Sequence, residues 1–283
     1  MKVTVIGLGL IGGSMAITLR KEGIASQLFG IDRSEANATK ALELGLVDKI
    51  LPEDEALRQS DLVIVSIPVN AACALLPSVL DEVNGNAVVI DSGSTKNLIC
   101  KAVASHPKRS QFVAAHPIAG TEYSGPTAAF HGLFEGKTNI ICEREKSAEQ
   151  ALATAQKVFD ALKLKTIFME PVEHDKHVAY VSHLSHVSSF LLGQTVLDIE
   201  KDEKNIFDLA GSGFASTVRL AKSSPDMWAP IFEQNAEYLG QALAEYIMHL
   251  QKFQYHLMKH DTNELHKVMT KANEIKRVLD RKS

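Results

Sequence analysis

The first 169 residues alternate short β-branched runs with stretches of helical pattern, and nothing else in the chain narrows the possible folds so far. The runs are "KVTVI", "QLFGI", "DLVIVSI", "AVVID", "QFVAAH", "TNIIC" and "KTIFM"; residues 11–21, 34–44, 71–83, 95–105 and 148–162 read as helices between them, with a loop after "QFVAAH". Strands that are apolar at nearly every position are buried on both faces, and the connecting helices supply the cover. The expected fold class is therefore α/β, a doubly wound parallel sheet. Ligands in such sheets bind at the carboxyl ends of the strands.

Past "MEPVEHD" the strand pattern stops, and the remainder reads as three or more long helices. Glu170 followed by Pro171 marks one helix start. "SSPDMW" marks another, with Ser224 as cap, Pro225 at the first helical position and Asp226 in the first turn. The domains expected are 1–169, the α/β unit, and 170–283, an all-helical unit whose last helix runs over 261–281. No internal repeat or low-complexity tract interrupts either, and no extra module is expected after the last helix.

"KVTVIGLGLIGGS" packs four glycines into an otherwise apolar run at residues 2–14. A signal peptide would start similarly, but glycine pairs break the apolar core and no small-residue cleavage site is followed by a change in composition. A buried strand running through a tight turn into a helix fits better. Gly7, Gly9 and Gly12 then form GxGxxG between strand and helix, the context that gives this motif meaning. Gly7 permits the turn, Gly9 lets backbone approach a pyrophosphate, and Gly12 lets the helix lie close to the sheet; Gly13 is read as a packing glycine. Asp32, ending the next strand, would accept from the adenosine ribose and repel a 2′-phosphate, which favours NAD, although Arg33 beside it could instead clasp that phosphate. The expected cofactor surface comprises Gly7, Gly9, Leu10, Ile11, Gly12, Asp32, Arg33 and Ser66.

A net charge of −4, with no lysine- or arginine-rich stripe, leaves no electrostatic footprint for nucleic acid. No segment is long and apolar enough to cross a bilayer. Cys73, Cys100 and Cys142 have unrelated spacings that suit neither a disulfide framework nor a zinc site, and the expected compartment is the reducing cytoplasm.

Two further stretches end strands where a nicotinamide would arrive: "DSGSTK", residues 91–96, and "AAHPIAGTEYSGP", residues 114–126. His116 is placed there as a candidate general base, with Ser94 on the neighbouring strand end to orient it. The plainer reading has Ser94 capping the next helix and His116 bonded to backbone. "EHDKHVAYVSHLSH", residues 173–186, holds four histidines that invite a metal. At about 100° per residue, His174, His177, His183 and His186 fall near 0°, 300°, 180° and 120°, so one helix cannot gather them around an ion. The same arithmetic puts Asp175, Ser182 and His186 on one polar stripe facing a cleft or solvent. Arg219, among small and apolar residues near the sole tryptophan, Trp228, suits either a bidentate carboxylate or a salt bridge between domains.

Taken in order, "GLGLIGGS", "DSGSTK", "HPIAGTE", "HDKHVAYVSHLSH" and "STVRLAKSSPDMW" resemble the prephenate dehydrogenases, a family that includes arogenate dehydrogenases, across nearly the whole chain. The resemblance implies a Rossmann domain followed by a helical dimerisation domain, a homodimer, and NAD-dependent oxidative decarboxylation of prephenate to 4-hydroxyphenylpyruvate. It carries the catalytic histidine onto His116, its serine onto Ser94, a substrate-binding histidine onto His186 and a carboxylate-binding arginine onto Arg219. Asp175 is then expected to pair with Arg219 or to gate the cleft. Ser185 stands where many members have proline, and "GSGF" near Gly211 replaces a more glycine-rich stretch. Arogenate is the alternative substrate. A β-hydroxyacid dehydrogenase or pyrroline carboxylate reductase would share the layout without explaining "HPIAGTE", and a non-catalytic NAD sensor would tolerate alanine at His116 and Arg219.

Overall fold

The structure, a computed structural model, describes residues 1–201 and 206–280. Eight strands form one sheet: β1 (Lys2–Ile6), β2 (Gln27–Ile31), β3 (Lys49–Ile50), β4 (Leu62–Val65), β5 (Val88–Asp91), β6 (Phe112–Pro117), β7 (Thr138–Cys142) and β8 (Lys165–Met169). Their order is β3-β2-β1-β4-β5-β6-β7-β8. β1 to β6 are parallel, so the residues following β1, β2, β4, β5 and β6 all emerge at the same end.

The parallel sheet expected from the sequence is present with one exception: β7 runs antiparallel to β6, pairing His116 with Ile140 and Pro117 with Asn139. A parallel return requires a crossover, normally a helix. Residues 118–137 contain only a 3-10 turn, Pro126–Ala128, and the chain re-enters the sheet from the end at which it left. β8 is parallel to β7.

Helices cover both faces: α1 (Leu10–Lys21), α2 (Glu35–Glu43), α3 (Glu53–Gln59), α4 (Val69–Glu82), α5 (Asn97–Ala102) and α6 (Glu149–Ala161). α3 and the two-residue β3 lie in a stretch where no element was expected. Met15 and Leu19 of α1 pack with Ala155, Val158 and Phe159 of α6 on one face. The other face receives Leu76, Val79 and Leu80 of α4 and Ile99 of α5. Fully burying each of the larger of these side chains is worth about 1.5–3 kcal/mol, so cores on both faces stabilise the sheet without cross-links, and all three cysteines are free.

After β8 every described element is helical: α7 (Pro171–Val178), α8 (Leu184–Glu200), α9 (Ser212–Thr217), α10 (Pro225–Gln234), α11 (Ala236–Met258), α12 (Thr262–Ala272) and α13 (Lys276–Leu279). The helix read over 261–281 is thus α12, a 3-10 turn and α13, and Arg281 lies outside the described residues. Proline occupies the first position of α7 and of α10. Ser224 precedes α10 as anticipated, but its side chain makes no capping bond; its backbone oxygen instead accepts the amides of Met227 and Trp228.

The chain forms two compact units, Met1–Ala236 and Glu237–Ser283. The change of secondary-structure class near residue 170 thus falls inside the first unit, because α7 packs on α5 and α10 on α4. Trp228 and Ile231 of α10 complete the core on the His116 face of the sheet.

The segment read as one regular helix through 173–186 also departs from expectation. A π turn, Ala179–His183, separates α7 from α8. Its wider winding breaks the 100° count, so Asp175, Ser182 and His186 do not share one stripe. Asp175 is buried at 2%, while Ser182 and His186 are only partly covered.

Candidate active site

The turn after β1 is built as its glycines require. Gly7 has φ +93°, and a Cβ there would collide with the carbonyl of Ser66. A Cβ at Gly12 would strike the carbonyl of Gly7, and one at Gly13 would meet Ala129 and Leu46. Gly9 differs, since a Cβ there would enter open space. That opening at the start of α1 is where a ligand could approach backbone. No side chain caps α1, so the amides at Leu10 and Ile11 remain available to an anion.

Asp32 faces this turn from the end of β2. Its Oδ2 accepts the amide of Leu8 at 2.9 Å and its Oδ1 that of Ser34 at 2.9 Å, which fixes the carboxylate beside the glycines. Arg33 is exposed. Ser66, at the end of β4, shares a 2.9 Å hydrogen bond with Ser92 after β5. Open space at Gly9, free first-turn amides and an anchored acid are the features that a dinucleotide needs.

His116 lies at the end of β6, 8% exposed. Its Nδ1 is 2.8 Å from Nε2 of His174 on α7, and Nδ1 of His174 is 2.8 Å from Oδ1 of Asp175. Nε2 of His116 makes no hydrogen bond among the described residues. The expected partner, Ser94, is half-buried on the turn after β5 and does not hydrogen-bond His116. The ring is held from α7, which packs on α5 and brings His174 to the end of β6, whereas Ser94 lies on the turn before α5 and does not reach the ring.

Asp175 does not pair with Arg219, which corrects that expectation. Its two oxygens accept the amides of Lys96, at 2.7 Å, and Asn97, at 3.0 Å, at the start of α5. Its backbone oxygen takes Nδ2 of Asn235, which also lies 3.1 Å from Nδ1 of His183. A carboxylate committed to a helix start and an imidazole cannot swing out to gate a cleft.

Beneath these residues Lys96 and Asp91, both fully buried, form an ion pair. Asp91 also accepts the amides of Gly93 and Ala115, tying β5 to β6. Burial depresses the basicity of His116 well below that of a free imidazole, and His174, Lys96 and His183 add to the effect. Burial likewise lowers His174, against the opposing pull of Asp175, and lowers His183 to about 4.

The four histidines of 173–186 go to different surroundings. His174 meets His116, His177 is exposed, His183 is buried against Asn235, and His186 stacks on Trp228 with ring centroids 3.5 Å apart. Among the described residues no cluster of three or more His, Cys, Asp or Glu side chains is placed to hold a metal ion. Arg219 bonds Glu122 at 3.1 Å on the loop after His116, and it is one of the charges acting on His186. His174, Lys96, Glu122 and Asn235 were not singled out for these roles from sequence. The adjacent acid and imidazole of "HDKH" and the Asp-to-Lys spacing of "DSGSTK" were the available signals.

Residues 15–168 match the family model "Prephenate dehydrogenase, nucleotide-binding domain", and residues 170–271 match "Prephenate dehydrogenase, dimerization domain". The chain is 30% identical to a prephenate dehydrogenase of Bacillus subtilis, over 97% of this chain and 75% of that one. A crystal structure of Aquifex aeolicus prephenate dehydrogenase in complex with hydroxyphenyl propionate and NAD+ superposes with a TM-score of 0.87, at 30% identity, covering 98% of each chain. Synechocystis arogenate dehydrogenase gives 0.76 at 27% identity, covering 99% of this chain and 100% of the other. Among the described residues no helix is long and apolar enough to cross a membrane.

Proposed function

The chain belongs to the prephenate dehydrogenase family, and from that premise we propose that it oxidises and decarboxylates prephenate to 4-hydroxyphenylpyruvate with NAD, in the cytoplasm, as a step of tyrosine biosynthesis. The observation that carries this reading is a buried imidazole, His116, with one nitrogen held by His174 and the other free, at the strand end shared with the glycine turn and Asp32.

Gly7, Gly9, Leu10, Ile11, Gly12, Asp32, Arg33 and Ser66 form the proposed NAD surface. Bound NAD supplies the hydride acceptor. His116 removes the proton of the ring hydroxyl as hydride departs from the carbon bearing it. Loss of carbon dioxide across the ring then leaves an aromatic product, and that gain makes the step irreversible. The protein therefore needs positioning, one base and a cation for the carboxylates. Arg219 supplies the cation, exchanging Glu122 for a substrate carboxylate. His186, oriented by its stack on Trp228 and its 3.0 Å bond to the carbonyl of Ser182, binds substrate. Ser94, free of His116, is available to the nicotinamide side. Asp175 supports the site from beneath.

In this reading 1–169 binds the nucleotide, and 170–283 completes the substrate site and makes a homodimer. Exposed Ile247, Met248, Leu250, Leu257 and Met258 along α11 support self-association. Steady-state assay of purified protein with prephenate or arogenate, against NAD or NADP, tests the whole proposal. Turnover of prephenate with NAD supports it, preference for arogenate would reassign the substrate, and no turnover of either would refute it.

A further inference from the structure

We propose that His174, backed by Asp175, is a positioning residue that fixes the tautomer of His116, keeping the proton on Nδ1 and the lone pair on Nε2, where substrate is met. The inference rests on the reading of His116 as the base and goes beyond it by assigning where each proton sits.

The assignment follows from which atoms can only donate. Backbone amides donate, so the Asp175 oxygens facing Lys96 and Asn97 at 2.7 and 3.0 Å are acceptors. Oδ1 also faces Nδ1 of His174 at 2.8 Å, and this contact is a hydrogen bond with the proton on the imidazole. A neutral imidazole carrying its proton on Nδ1 has a lone pair on Nε2. That lone pair is 2.8 Å from Nδ1 of His116 and must accept from it. His116 is then left with an unprotonated Nε2, the atom that makes no hydrogen bond among the described residues. The direction of the chain is thus set at the start of α5 and read out two imidazoles away.

Burial supports the premise that His174 is neutral, since it is fully buried and its basicity is lowered. The charged and titratable groups around the pair are Asp175 on α7, Lys96 at the start of α5, Asp91 on β5, and His183 in the π turn. Lys96 is itself neutralised by Asp91. In turnover the hydroxyl proton of substrate passes to Nε2 of His116, whose Nδ1–H stays bonded to His174. The new imidazolium charge faces the Asp175 carboxylate through the second ring. No oxidant or co-reactant beyond NAD is required.

The first test uses the unaltered protein. Long-range ¹H–¹⁵N correlation spectra of ¹⁵N-histidine-labelled enzyme, with His116 assigned by the signal missing from His116→Asn, should show its proton on Nδ1 alone. A proton on Nε2, or a rapidly exchanging mixture, would overturn the proposal, and the reading is taken on the unaltered protein, the variant serving only to assign the signal. The second test compares His174→Gln, whose side-chain oxygen can still accept from His116, with His174→Leu, which cannot. The leucine variant should lose about 10- to 100-fold in kcat with KM for prephenate nearly unchanged, since the orientation of a base is worth part of the ~10²- to 10⁴-fold that a base supplies. Glutamine should restore part of that loss. Equal losses in both variants, or a loss expressed in KM, would reduce His174 to packing. Full turnover in His116→Asn would instead sink the functional reading while leaving the tautomer measurement to stand or fall alone.

Discussion

The guanidinium of Arg219 reaches the carboxylate of Glu122 at 3.1 Å, joining the helical segment before α10 to the loop that leaves His116. Arg219 is thus already paired with a carboxylate of the chain's own. In the proposed mechanism a substrate carboxylate would take the place of Glu122 on this cation, which keeps roughly half its surface exposed.

Arg219→Ala is expected to raise KM for prephenate about 10- to 100-fold, the equivalent of a charge-assisted hydrogen bond worth about 1.5–3 kcal/mol, with kcat little changed. Its thermal melt should match that of the parent, since exposed ion pairs add little stability. Steady-state kinetics with a parallel melt checks both halves, and a loss confined to kcat would remove Arg219 from substrate binding.

His116→Asn should lower kcat by about 10²- to 10⁴-fold, the usual share of a general base. NAD affinity, measured by calorimetry, should persist, because the glycine turn is built on β1 and β2. Unchanged turnover would exclude His116 from proton transfer.

Acid should act on rate and stability over different windows. His116, surrounded by His174, Lys96 and His183, stays neutral well below the range of a free histidine. kcat should therefore remain level through about pH 6.5 and fall only under more acidic conditions. Stability should begin to decline earlier. His116, His174 and His183 all resist protonation when folded, whereas the unfolded chain takes up protons from about pH 6.5 downward. The unfolded state then binds more protons, so the stability present above that pH is lost progressively towards the folded values, about 4 for His183. Thermal melts between neutral pH and pH 5 should show Tm falling while kcat holds; a kcat that titrates with an ordinary histidine midpoint would contradict the burial argument.

Two glycine substitutions should separate folding from cofactor binding. Gly7→Ala forces a side chain onto φ +93° and against the Ser66 carbonyl, and should markedly lower Tm. Gly9→Ala meets nothing within 4 Å and should melt normally, yet raise KM for NAD. A Gly9→Ala enzyme with unaltered NAD kinetics would place the pyrophosphate elsewhere.

The sequence made the nucleotide-binding half legible because buried strands and a glycine turn are local: each is specified within a few residues by apolar runs and backbone freedom. The reversed β7 was also written there, in the missing crossover helix between "QFVAAH" and "TNIIC", although the parallel pattern around it masked the signal. The partners of the polar residues were not legible. Asp175 is bonded to Lys96 and Asn97, nearly eighty residues away in the chain, and no spacing rule reports such a pairing. The wheel for 173–186 assumed constant winding, and the π turn at Ala179–His183 removed that premise. The expectation that Ser94 orients His116 yielded for a related reason: neighbouring strand ends suggested the pair, but packing of α7 decided it.

The π turn also sets what kind of change the helical segment can least absorb. A π turn accommodates an additional residue within a helix, so deleting one residue between 179 and 183 would let the winding become regular. Everything beyond would then be rotated by about 100° and displaced by about 1.5 Å, carrying His186 off the Trp228 face while every side chain kept its identity. For this segment a one-codon loss is expected to cost more than most point substitutions, because it alters the register between His174 and His186 rather than a single side chain.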